Sequence, residues 1–137
     1  MDENTKNIEN CISKDEIKAK IKALFPLVQT LSPVFVALSD SVRQNLFMAL
    51  LEAGADGMNV GDLTAKTHLS RPAISHHLKV LKDSGLIVPH KSGTQIFYFV
   101  KKGIYIEDFR KFHDLFDEVL QNFDFKMIGE KAPWMLS

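Results

Sequence analysis

Apolar residues recur along the chain with two different periods, and the change of period locates its elements. The first helical run opens at Ser13, with Glu16 three residues on, the spacing of a capping box. Ile17, Ile21, Leu24, Val28 and Leu31 follow at intervals of four, three, four and three, a heptad-like seam rather than a broad buried face. Pro26 within it predicts a kink or early stop near Phe25, and Pro33 predicts its end. Asp40 is placed to cap a second helix, with Val42, Leu46, Ala49, Leu50 and Ala53 on one face and Gly54 as its stop. After a turn at 54–57, Asn59 caps a short helix from Val60 to about Thr67, with Asp62 in its first turn. Ser70 caps the next helix, with Pro72 in a turn where a missing N–H is harmless, and Gly85 ends it.

The period then shortens to that of strands. Leu86–Val88 and Gln95–Val100 flank Lys91-Ser92-Gly93-Thr94, which predicts a hairpin. A last helix, about Tyr105 to Phe123, aligns Phe109, Phe112, Phe116, Val119 and Phe123 on one face. Residues 1–12 read as a flexible, polar segment, 13–124 as the folded domain and 125–137 as a tail of mixed composition that includes Trp134.

The fold class that follows is mainly α with a small β-hairpin wing. Two short helices joined by a tight turn, with a hairpin directly after the second, describe a winged helix-turn-helix. A helix fits the major groove of duplex DNA, where its N-terminal residues reach base edges. On the second short helix Ile74, Leu78 and Leu81 form the core face, leaving Ser70, Arg71, Ser75, His76 and Lys79 toward the groove. Arginine bridges two guanine acceptors, while lysines and hydroxyls hold phosphates and fix register. Lys82 and the wing's Lys91 are assigned to phosphates.

Charge sharpens this picture. The 137 residues carry 17 Lys+Arg and 17 Asp+Glu, so bulk charge draws no polyanion. Residues 66–102 nevertheless hold seven basic residues against the single acid Asp83, a net +6, whereas 103–124 carry −4.

Ser70 to Ile87, with its SHHLKVL run and terminal glycine, together with Phe35 to Arg43, resembles the ArsR/SmtB family of bacterial repressors. The similarity covers about residues 33–101, and Lys91–Phe99 resembles the family's wing, though it is less basic. The resemblance implies a homodimer built on the first and last helices, binding an imperfect inverted repeat of duplex DNA and released by a signal. The two seams suit such an interface: Ile17, Ile21, Leu24 and Val28 on the first helix, and Phe109, Phe112, Phe116, Val119 and Phe123 on the last.

The family's usual metal-sensing motifs are absent. Val60-Gly61-Asp62-Leu63 stands where a Cys-x-Cys motif would lie, and no histidine has Asp two positions before it. No metal or other cofactor is expected. His76 and His77 point about 100° apart on a helix, which does not suit one ion. His113 beside Asp114 and Asp117 reads as a solvated face, and the lone Cys11 as incidental. The phenylalanine stripe serves dimer or core packing, with a pocket for an apolar small-molecule effector as the alternative. A protein-interaction module without site-specific DNA binding is the alternative for the whole chain. No nucleophile–base pair suggests an enzyme. With no uninterrupted run of about 18 apolar residues and no secretory pattern at the start, the expectation is no membrane partner and a cytoplasmic location.

Overall fold

A computed structural model describes residues 13–103, 105–122 and 130–136 of the chain. Eight elements follow in order: α1 (Lys14–Ala37), α2 (Ser41–Ala53), β1 (Met58–Asn59), α3 (Val60–Thr67), α4 (Arg71–Asp83), β2 (Ile87–Ser92), β3 (Gln95–Val100) and α5 (Tyr105–Gln121). Short 3-10 turns lie at Gly54–Asp56 and Pro133–Leu136. The chain divides into two units, residues 29–108 and the two flanking stretches 1–28 and 109–137.

The core of the central unit is aliphatic and comes from every helix within it. Leu31, Val34 and Ala37 of α1, Leu46 and Leu50 of α2, Leu63 of α3 and Ile74, Leu78 and Leu81 of α4 are all buried, joined by Met58, Leu86 and Ile87. The α4 face expected to be apolar is therefore its core face. Local capping fixes where the helices begin. Asp40 accepts from Arg43 N, Ser70 from Ala73 N, and Asn59 and Asp62 form a reciprocal capping box at α3. His68, in the left-handed conformation at φ 57°, ends α3 and turns the chain into α4.

The hairpin forms as expected, with Ile87 opposite Val100 and Ser92 opposite Gln95. Only Ile87 of β2 is buried, so the wing stands in solvent. Sequence reading missed β1. Its two residues pair with β3, Met58 opposite Tyr98 and Asn59 opposite Phe97, giving the sheet order β1-β3-β2. Two residues carry no detectable period, and Asn59 serves at once as ladder residue and helix cap.

The expected break in the first helix does not occur: α1 runs unbroken for 24 residues through both Pro26 and Pro33. Each proline removes one ladder hydrogen bond, to the carbonyl four residues earlier. Pro26 and Pro33 are both exposed and seven residues apart, on one side of the helix, so both interruptions fall toward water. By length and composition alone α1 would also cross a bilayer, its most apolar 18 residues averaging a mean hydropathy of 1.2. The criterion of an uninterrupted apolar run overlooked this, because Gln29, Thr30 and Ser32 break the run. The last turns of the same helix are core, with Leu31 and Ala37 fully buried.

In the flanking unit Ser13 Oγ accepts from Glu16 N, and Lys20 forms an ion pair with the Glu118 carboxylate. Val119 is buried and Phe112 stacks on Phe116 with ring centroids 5.6 Å apart.

Candidate nucleic-acid interface

Helix α4 presents one dry face and one wet one. Ser70, Arg71, Ser75, His76, Lys79 and Lys82 are all exposed, as is Lys91 on the wing. The seven residues do not form one cluster. Arg71 and Ser75 line a concavity of about 530 Å³ with Asn59, Gly61 and Asp62 from the start of α3 and Thr94, Gln95 and Tyr98 from the wing. A Cβ added at Gly61 would stand 3.6 Å from a terminal nitrogen of Arg71, so the guanidinium lies over the first turn of α3. Lys82 lies eleven residues beyond Arg71, about 16 Å along the helix. It lines a separate hollow with Lys101, Lys102, Gly85 and Tyr105.

Lys79 is engaged. Its Nζ donates to Asp83 Oδ2 at 2.9 Å, and this bond holds the Asp83 carboxyl below the usual carboxylate range. The pair is fully in solvent, so a phosphate competes for the lysine at little cost.

Sequence reading missed the residues that fix the wing. Asn59 Nδ2 donates to Gln95 Oε1 at 3.2 Å, linking the start of α3 to the first residue of β3. The signal would have been the β1–β3 pairing, which brings Asn59 opposite Phe97. His77 was read as packed or partly exposed. It meets Arg43, whose Nη1 lies 3.3 Å from His77 Nδ1.

On the seams, Ile17, Leu24, Phe109 and Phe112 are half-buried and Val119 is buried, while Ile21, Val28 and Phe116 are exposed. Phe25, beside the seam, is 65% exposed. Phe123 and Cys11 lie outside the described residues. His113 approaches Asp114 at 3.3 Å, and among the described residues no three metal-ligating side chains gather.

A short capped helix, a left-handed turn, a second helix with a polar outer face and a three-stranded wing define a winged helix-turn-helix. The profile described as "Bacterial regulatory protein, arsR family" matches residues 40–88, from the cap of α2 into β2. The chain is 40% identical over 65 residues to the transcriptional repressor SdpR of Bacillus subtilis, covering 47% of this chain and 69% of that one. It is 34% identical over 92 residues to the cadmium resistance transcriptional regulatory protein CadC of Listeria innocua, covering 66% and 76%. Among solved structures, an ArsR-like transcriptional regulator from Rhodococcus sp. RHA1 superposes with a TM-score of 0.53 at 26% identity, over 76% of this chain and 93% of that one. The chain belongs to the ArsR family of bacterial regulatory proteins. It is a DNA-binding transcriptional regulator and not an enzyme.

Proposed function

We propose that the chain is a cytoplasmic, sequence-specific repressor that binds an inverted-repeat operator in duplex DNA as a homodimer. The observation that carries this reading is the outer face of α4, whose exposed Arg71, Ser75 and His76 lie at its N-terminal half, with Arg71 and Ser75 facing the wing across an open concavity. A helix entering the major groove reads bases from that end. Ser70, Arg71, Ser75, His76 and Lys79 read bases or set register, and Lys82 and Lys91 contact phosphates. Two copies place two such helices on successive turns of one face of the duplex, about 34 Å apart.

The dimer rests on the exposed apolar residues of α1 and α5. Ile21, Phe25 and Val28 on one helix and Phe116 on the other present large side chains to water, a pattern that marks an interaction site. The phenylalanine stripe packs in this interface, and an apolar effector bound there is the other outcome a dimer measurement would reveal. The signal that releases DNA does not use the family's Cys-x-Cys site, because Val60-Gly61-Asp62-Leu63 stands in its place.

The test is a titration of a labelled duplex from upstream of the chain's own gene against a scrambled duplex, at about 0.15 M salt, where weak surface attraction is screened. A preference of roughly a thousandfold supports a site-specific regulator. Equal, weak binding to both, with a salt-insensitive protein partner in its place, would replace the proposal by an interaction module.

A further inference from the structure

The mid-point of the reading helix is tied to the corner between α1 and α2 by one side chain. Arg43 Nε donates to Ala37 O at 2.7 Å and Nη2 to Val36 O at 3.3 Å, so the guanidinium closes the last turn of α1. Its remaining nitrogen, Nη1, faces His77 Nδ1 on α4 at 3.3 Å. Arginine only donates, and stays charged throughout the accessible pH range. The imidazole nitrogen facing it must therefore be bare, and His77 in this arrangement is neutral. Asp40 Oδ1 waits 4.0 Å from the same nitrogen while accepting from Arg43 N.

We infer that Arg43 and His77 form a proton-gated latch that positions the reading helix against the α1–α2 corner. The inference rests on α4 being the DNA-reading helix. Neutral His77 accepts from Arg43 and holds α4 in the observed seat. Protonated His77 has no lone pair to offer, meets the guanidinium as a like charge, and turns toward Asp40. Histidine is the side chain that makes this change between about pH 8 and pH 5. Among the described residues the charged groups facing His77 are Arg43 and Asp40, both at the start of α2. The end of α1 contributes only carbonyls through Arg43, and the neighbouring ring on α4 is His76, centroid to centroid 5.7 Å. The His77 side chain is 18% exposed, so protons reach it from solvent although DNA need not touch it.

The test compares wild type with His77→Asn. The asparagine Oδ1 takes the place of Nδ1 and accepts from Arg43 at every pH. Affinity for the upstream duplex is measured at fixed salt from pH 8 to pH 5.5. His68, His76 and His90 gain protons in both proteins and cancel in the ratio of affinities. That ratio, wild type over variant, is expected near one at pH 8 and to fall about tenfold by pH 5.5, the factor that about 1.4 kcal/mol represents. A ratio that stays flat overturns the latch. The second measurement needs neither DNA nor the variant: imidazole ¹⁵N shifts of free wild-type protein. They are expected to show His77 with its proton on Nε2 at pH 8, and a proton on Nδ1 would overturn the inference. If wild type shows no preference for the upstream duplex, the reading of α4 fails, and the ¹⁵N shifts still decide the latch.

Discussion

Gly57 is where the sheet meets the helix-turn-helix, and replacing it by alanine should be the most damaging single-methyl change in the wing root. Its backbone sits at φ 62°, ψ −173°, a region essentially confined to glycine. Holding an L-residue there costs about 1–3 kcal/mol. A Cβ at Gly57 would also lie 2.7 Å from the Tyr98 carbonyl oxygen and 2.6 Å from the Phe99 ring. The ring could rotate, but the carbonyl belongs to β3, which is paired on both sides, so the strand itself must move. Such overpacking adds about 1–3 kcal/mol. Gly54 is the internal control, because it too has a positive φ, 57°, yet a Cβ there meets nothing within 4 Å. Gly54→Ala should therefore lose only the conformational part. Urea unfolding of both variants at one protein concentration separates the two contributions. With a slope of about 1.5 kcal/mol per molar, an extra 1–3 kcal/mol places the Gly57→Ala midpoint about 1 M or more below that of Gly54→Ala. Equal midpoints would refute the steric argument and with it the tight β1–β3 junction.

Three further outcomes follow from the same geometry. Asn59→Ala removes the cap of α3 and the bond to Gln95, and should cost about 1 kcal/mol in urea unfolding, most of it restored by Asn59→Ser, since serine caps well. Arg71→Ala should relax base preference at one position in each half-site, whereas Lys91→Ala should weaken all sequences alike and lower the salt slope by about one unit per lost phosphate contact. Phe25→Asp should yield a monomer in sedimentation at micromolar concentration without changing the fold of the chain, because the side chain is already 65% exposed.

The helices were legible because their ends are written in side chains that do one job. Asp40, Asn59 and Ser70 each cap the helix they were expected to cap, and Ile74, Leu78 and Leu81 point where their spacing says. The failures have different physical causes. Pro26 and Pro33 were read as breaks, but a helix anchored by Leu31, Val34 and Ala37 carries two missing hydrogen bonds on its water side. β1 was invisible because two residues have no period. The Asn59–Gln95 link spans 36 positions, and the Arg43–His77 contact spans 34. Neither leaves a local pattern; both exist only once the sheet and the α1–α2 corner have formed. The reading residues Arg71, Ser75 and His76 could be chosen from the sequence because an amphipathic helix fixes its outer face by fixing its inner one. The contribution of Asn59, Thr94 and Gln95 to the adjoining concavity could not.

The most direct measurement of the central claim is selection of bound duplexes from a pool of random sequence, followed by sequencing of those retained. A dimeric reader should enrich an inverted repeat whose half-sites are centred about one helical turn apart, or a multiple of it. Retained duplexes with the composition of the starting pool, or a single half-site without its inverted mate, would contradict it.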